Sequence, residues 1–388
     1  HDYVGHLAVY KTQKINALGG YDSVLKTAQM YDMALRYSAE LNATDIVHIP
    51  RVLYHYCAEL NDDTANANFY KQAVERALET QQRAADVRLH SQLANTLRVR
   101  YQLPEKPPLV SIIIPTRNGY DLLSRCVSSI FAKTTYTNYE LIIVDNGSDE
   151  VLSLRYLSHL QQDPRVTILC DDSPFNYSAL NNKAVAQAKG EVIALLNNDL
   201  EVISEDWLTE MLSHVLHKEV GAVGAKLYYP DNSIQHAGVI VGLGGVAGHS
   251  HKHALRDSAG YRGRLLVVQN LSAVTAACLL VRKEVFTAVG GLDEHNLSIA
   301  FNDVDLCLRI QEHGFRNVWT PYAELYHYES ASRGYEDTPE KQARFNGEIA
   351  YMQQRWGESL QVDPDYSPNL TVDREDFSFA RPPRMPTR

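Results

Sequence analysis

The stretch EVIALLNNDLEV, from Glu191 to Val202, constrains this chain more than any other. Val192 to Leu196 are apolar without interruption, the pattern of a strand buried on both faces, as in a parallel sheet. The run then breaks into Asn197, Asn198 and Asp199. Oxygen-bearing side chains at the carboxyl end of a buried strand stand where an open α/β sheet holds its ligands. Asp199 is read as a ligand for a divalent metal that holds a nucleotide diphosphate, because a carboxylate is a hard oxygen donor.

The neighbouring sequence repeats the design. LVSIIIPTRNG from Leu109, ELIIVDNGSD from Glu140 and RVTILC from Arg165 read as further strands. Helical spacing separates them at 122–131, 155–160 and 177–189. This alternation predicts an α/β domain wound around a mostly parallel sheet. The strands end in Pro115, Thr116 and Asn118, in Asp145 and Asn146, and in Asp172 and Asn176, groups that can converge on one crevice. A nucleotide fits such a crevice: Asp145 can accept from a base imide or a ribose hydroxyl, and N–H groups around Thr116 and Arg117 can meet phosphate oxygens. Asp145 and Asn146 equally suit a capped turn. No G-x-G-x-x-G follows the first strand and no Walker sequence occurs, which argues against dinucleotide enzymes and phosphate-loop NTPases.

Composition narrows the partners. A net charge of -10 over 388 residues argues against nucleic-acid binding. Five scattered cysteines without metal-type spacing suit a reducing compartment and no disulfides. The longest apolar run, near 274–281, is too short to span a bilayer, and the first residues lack signal-peptide character. The expected location is the cytoplasm. A chain opening on His1 reads as a piece of a longer polypeptide, with that polypeptide's other domains as partners.

One pattern occurs twice. Gly19-Gly20 with Asp22, then Asp32 and Arg36, then Tyr54-His55-Tyr56, is matched by Gly290-Gly291 with Asp293, Asp305 and Arg309, and Tyr326-His327-Tyr328. This predicts a duplicated domain of which the tail of the first copy is present. The boundaries read as a remnant over 1–60, a helical connector over 61–106 ending in the PEKPP cluster, a main domain over 107–370 with an amphipathic helix at 339–356, and an extended tail over 371–388.

Together VSIIIPTRNG, LIIVDNGSD, FNYSALNNKAVAQAKGEVIALLNNDLEV, GGLDE and FNDVDLCLRIQEHG resemble the family 2 glycosyltransferases, over about residues 109–370. The likeness is nearest to bacterial enzymes that build O-antigen and other surface polysaccharides, often as tandem catalytic domains. It implies the GT-A nucleotide-sugar-binding fold, a nucleotide-diphosphate sugar donor, Mg²⁺ or Mn²⁺ as cofactor, and an inverting transfer to a glycan or lipid-linked glycan. The acceptor leaves room for contact with the inner face of the cytoplasmic membrane. Asp199 matches the last residue of the family's Asp-x-Asp, with Asn197 in place of the first. The resemblance also implies that His327 closes the metal site.

An inverting transfer needs a general base for the acceptor hydroxyl. Asp303 and Asp305 lie two apart on one helix and face different sides. Asp305 is spaced to pair with Arg309 at i,i+4, which frees Asp303 to face the crevice. Asp303 matches the Asp of the family's Glu-Asp motif, with Asn302 replacing the Glu. In the first copy Met30 takes this place, so that copy lacks the base, while Asp32 and Arg36 keep the structural pair. Pro115, Thr116, Asn118, Asp145, Asn176, Asn182 and Asn198 are read as lining the nucleotide and sugar crevice. The glycine-rich stretch 239–248, with His249, His251 and His253 after it, reads as a flexible loop over donor and acceptor. Two other readings stay open: a sugar-nucleotide nucleotidyltransferase, and a non-catalytic carbohydrate-binding or scaffolding module.

Overall fold

A computed structural model of the chain describes residues 8–42, 45–47, 49, 51, 66–93, 96–328 and 338–384. Tyr54, His55, Tyr56 and Cys57 of the first repeat lie outside the described residues. The chain divides into two compact units, 1–102 and 103–388.

The first unit contains helices α1 (Thr12–Ala17), α2 (Gln29–Ser38) and α3 (Ala67–Thr80) and strands β1 (Ala85–Leu89) and β2 (Leu97–Tyr101). Leu25, Ala28 and Tyr31 pack with Ala73, Val74, Leu78 and Val87 in one apolar cluster. The helical connector expected over 61–106 is therefore corrected. Its second half is an antiparallel hairpin, and α3 shares a core with the preceding segment. Alternation in Leu97, Val99 and Tyr101 against Arg98 and Arg100 has the period of a half-buried strand.

The two copies of the repeated pattern have the same local geometry. Arg36 Nε donates to Asp32 at 2.9 Å, and Arg309 Nε donates to Asp305 at 2.8 Å. Each arginine also donates to the carbonyl before its glycine pair, that of Leu18 or Val289. Gly19 and Gly20 have φ of 83° and 71°, and Gly290 and Gly291 have 85° and 71°. Side chains with a Cβ avoid this left-handed region, which explains both glycine pairs.

In the second unit β3 (Val110–Thr116), α4 (Tyr120–Lys133), β4 (Tyr139–Asp145), α5 (Val151–Leu160), β5 (Val166–Cys170), α6 (Tyr177–Gln187) and β6 (Val192–Leu196) come in the expected alternation. There follow β7 (Leu200–Val202), α7 (Trp207–Val215), β8 (Val220–Tyr228), β9 (Ile234–His236), β10 (Val239–Val241), β11 (Ala247–His249), β12 (Gln269–Leu271) and β13 (Cys278–Arg282). Helices α8 (Lys283–Ala288) and α9 (Asn302–Glu312), strand β14 (Arg316–His327) and helix α10 (Pro339–Trp356) complete it.

The main sheet runs β12-β14-β8-β13-β6-β3-β4-β5, with β7 on β14 and β9 on β8. β6, β3, β4 and β5 are mutually parallel, as are β8 and β14, while β13 enters antiparallel between β6 and β8. The α/β class and mostly parallel sheet expected from the sequence are what is found. Helices α4, α5 and α7 bury their apolar stripes on one face, and α6, α8, α9 and α10 on the other. With both faces covered, every residue of β6 is at most 1% exposed.

In its described part, the tail expected to be extended over 371–388 lies against the glycine-rich hairpin. Tyr366, Leu370 and Phe377 form an apolar cluster with Ile240 and Leu243 of the glycine-rich hairpin. Gly244 N donates to Val372 O at 3.1 Å, and Val241 N to Asp363 Oδ2 at 2.8 Å. The hairpin is thus strapped down, which the glycines alone did not suggest.

Within the strap, burial and the adjacent Asp363 carboxylate push Asp365 from 3.8 up to about 6. The folded chain holds this proton more tightly than the unfolded chain. The contribution therefore favours the fold below pH 3.8 and is lost as pH rises through about 6. Asp365→Asn keeps an oxygen for Ser272 and Gln311 while removing the charge. Urea unfolding is expected to show a gain of about 1–3 kcal/mol at pH 8 and little at pH 4.

Candidate active site

Strand β6 delivers the Asn197-Asn198-Asp199 loop to the carboxyl edge of the sheet, and two backbone bonds fix it there. Asn197 N donates to Ala277 O at 3.0 Å, and Tyr328 N donates to Asp199 O at 2.9 Å. Antiparallel pairing of β7 with β14 sets His327 opposite Leu200, so the imidazole lies beside the Asp199 carboxylate. His327 Nε2 is 3.2 Å from Asp199 Oδ1, and both residues are buried, at 6% and 4% exposure. Despite that distance Asp199 Oδ1 lacks hydrogen-bond geometry to any partner among the described residues, and so does His327 Nδ1. Two ligand atoms at right angles around Mg²⁺ also stand about 3 Å apart. The pair fits a cation better than it fits a hydrogen bond. Asn197 turns its amide nitrogen, not its oxygen, toward His327 Nε2 at 3.4 Å; a half-turn of the amide would bring the oxygen round.

At the end of β3, Thr116 pairs in register with Asp145 on β4. Asn198 Nδ2 donates to Thr116 Oγ1 at 3.0 Å, tying the Asn-Asn-Asp loop to this corner. Asp145 accepts from the backbone N–H of Ser148 at 3.1 Å and from its hydroxyl, and Pro115 is buried inside β3.

Three other residues expected at the crevice also have partners within the fold. Asn118 Oδ1 accepts from the N–H groups of Asp149 and Glu150 at 2.9 and 3.0 Å. Asn176 caps α6 by accepting from Ala179 N and donates to Glu294 O. Asn182 accepts from Leu292 N and donates to Leu292 O and Glu294 Oε2. Each of these amides thus braces a turn or a helix start, as Asp145 does for the turn at Ser148.

The two aspartates of α9 divide as their spacing predicts. Asp305, fully buried, accepts from Arg309 and from Trp356 Nε1 at 2.9 Å. Asp303 is half-buried in the first turn; its Oδ2 accepts from Ala276 N and its Oδ1 from Val304 N, both at 2.9 Å. Asn302 is buried and donates to Ile299 O, so it does not share the surface that Asp303 presents. The residue before it, Phe301, has φ of 58°, a strained value for a bulky side chain that sets the direction in which α9 starts.

Sequence reasoning missed the segment Thr275–Ala277. Ala276 N holds Asp303, Ala276 O accepts from the Tyr177 hydroxyl at 3.1 Å, and Ala277 O holds the Asn-Asn-Asp loop through Asn197 N. Its work is done by peptide groups, which leave no side-chain signature.

Residues 111–289 match the family described as glycosyl transferase family 2. The chain is 47% identical over 98% of its length to the uncharacterized protein y4gI of Sinorhizobium fredii, covering 43% of that protein. It is 36% identical over 98% of its length to the O-antigen biosynthesis protein RfbC of Myxococcus xanthus, covering 30% of it. The chain thus spans less than half of either relative. Among solved structures, the mannosyltransferase PcManGT from Pyrobaculum calidifontis aligns with a TM-score of 0.49 at 17% identity, over 77% of this chain and 79% of that one. The match to glycosyl transferase family 2 takes in strands β3 to β6, the Asn-Asn-Asp loop and β13.

Proposed function

We propose that the second unit transfers a sugar, with inversion, from a nucleotide-diphosphate sugar to a hydroxyl of a growing surface glycan or lipid-linked glycan. The observation that carries this reading is the buried Asp199–His327 pair, 3.2 Å apart, on a loop anchored to the residue next to the one that holds Asp303. Asp199 and His327, with Asn197 as a weaker third donor, would hold Mg²⁺ or Mn²⁺. The cation would supply Lewis-acid neutralisation of the departing diphosphate. Thr116, Asp145 and Asn198 line the nucleotide side. Asp303 takes the proton from the acceptor hydroxyl as its oxygen bonds the anomeric carbon and the bond from that carbon to the phosphate oxygen breaks. Both Asp303 oxygens accept a backbone N–H, which fixes the carboxylate plane while leaving lone pairs for the acceptor.

The first unit, with its matching glycine pair and Asp32–Arg36 bond, reads as the end of a related domain, and Met30 leaves it without a base. No helix among the described residues is long and apolar enough to cross a membrane.

Thermal unfolding with Mn²⁺ and UDP-glucose, UDP-galactose, UDP-N-acetylglucosamine or dTDP-rhamnose tests the reading. One donor is expected to raise the midpoint by about 3 °C or more, an effect that EDTA removes. If no sugar nucleotide shifts the midpoint, the non-catalytic carbohydrate-binding module becomes the better reading.

A further inference from the structure

Helix α10 holds the segment that leads into α9 at three points. The Tyr351 hydroxyl donates to Asp293 Oδ2 at 2.7 Å, and the Phe345 ring stacks on Phe301 with centroids 5.6 Å apart. Glu348 Oε1 accepts from Ile299 N at 2.9 Å and from the Ser298 hydroxyl at 3.1 Å. Glu348 is 2% exposed, and Arg344 donates to its other oxygen. An apolar side chain would fill such a place without the cost of taking a carboxylate out of water, so a glutamate there calls for an explanation.

Its partner Ile299 supplies one. The N–H of Ile299 goes to Glu348, and its carbonyl accepts from Asn302 Nδ2 at 2.9 Å. Asn302 is the residue before Asp303, so Ile299 is gripped from α10 on one side and from the first turn of α9 on the other. Between the two grips Phe301 is held at a φ of 58°, which a bulky residue adopts only where its surroundings impose it. In the first copy of the repeat Met30 stands in the place of Asp303, and the residue matching Phe301, Ala28, has a φ of -89°. The left-handed residue there is Lys26, two places earlier. A left-handed turn directly before the helix thus accompanies the aspartate, whose Oδ2 it brings to Ala276 N at 2.9 Å.

We propose that Glu348 and Asn302 are positioning residues of the transfer: they grip Ile299 from both sides, hold Phe301 in its left-handed turn, and so aim α9 that Asp303 meets the Ala276 N–H with its carboxylate set for the acceptor hydroxyl. The amide at 302 has a task that a carboxylate could not perform, since only a donor can hold Ile299 O. This rests on Asp303 being the base.

Amide hydrogen exchange of the full chain tests the coupling without any substrate. The reporter is Ala276 N–H, which bonds Asp303 and lies on a different segment from both residues. Glu348→Leu keeps an apolar filling but no acceptor, and is expected to speed exchange at Ala276 about tenfold, the loss of about one hydrogen bond, with core amides such as Ile113 unchanged. Glu348→Gln keeps an oxygen for Ile299 N and should recover most of the difference. Asn302→Ala releases the other grip; it is expected to act like Glu348→Leu, and it carries the test if that variant does not fold. Exchange at Ala276 at the wild-type rate, while Ile299 exchanges faster, would make the two residues local braces and overturn the proposal. Equal acceleration at Ala276 and Ile113 would also overturn it, as a general loss of stability. With the sugar nucleotide that stabilises the protein, kcat for transfer is expected to fall about ten- to a hundredfold in Glu348→Leu and Asn302→Ala at unchanged donor KM, the scale of a displaced reacting group. Unchanged kcat in both overturns the role. If the wild type turns over no donor while Ala276 responds as expected, the glycosyltransferase reading fails and the coupling to Asp303 stands.

Discussion

Asp303→Asn is expected to lower kcat by about 10²–10⁴-fold, the usual contribution of a positioned general base, while leaving stabilisation by the sugar nucleotide intact. The substitution removes the proton acceptor and sets an amide N–H against one of the two backbone N–H groups, from Ala276 and Val304, that the carboxylate now accepts. Thr116 and Asp145, proposed to line the nucleotide side, lie on other strands and are untouched. Single-turnover kinetics with the stabilising donor separate chemistry from binding. Unchanged turnover would remove Asp303 from the mechanism and return attention to the scaffold reading.

Arg309→Met is expected to cost about 3–5 kcal/mol in urea unfolding, because it strips the partner from a carboxylate with no exposed surface. Asp305 would keep Trp356 Nε1 and a distant Arg355 Nε at 3.4 Å, too little to compensate a buried charge. The loss also frees the Val289 carbonyl that Arg309 holds, loosening the glycine pair. A double variant, Asp305→Leu with Arg309→Met, should recover much of the stability, since an apolar pair replaces an ionic one without leaving a buried charge. A single variant that unfolds like the wild type would mean that the Asp-x-x-x-Arg bond, and its twin in the first unit, carries no structural weight.

How much of this was legible in the sequence depends on which chemical groups do the work. Side chains in register with an element's period were readable: the apolar run of β6, the polar break at Asp199, and the i,i+4 spacing that separated Asp305 from Asp303. Groups that act through the backbone were not, and Thr275–Ala277 looks like part of an apolar strand although three elements of the site hang from it. The turn and cap bonds of Asn118, Asn176 and Asn182 were not legible, because an amide near a strand end serves a ligand or a turn equally well on paper. Only coordinates reveal that their atoms are already bonded. The hairpin β1–β2 was hidden by the helix-forming composition around it. The strap was hidden because its apolar residues, Leu370, Val372 and Phe377, are spaced by Asp, Glu and Arg with no regular period.

The central claim, that Asp199 and His327 hold the cation on which sugar transfer depends, is tested most directly by donor turnover with Mn²⁺ and with EDTA, in the wild type and in Asp199→Ala. The expected result is turnover by the wild type with Mn²⁺, abolished by EDTA and lost in Asp199→Ala. Turnover that persists in EDTA, or in Asp199→Ala with Mn²⁺ present, would contradict it.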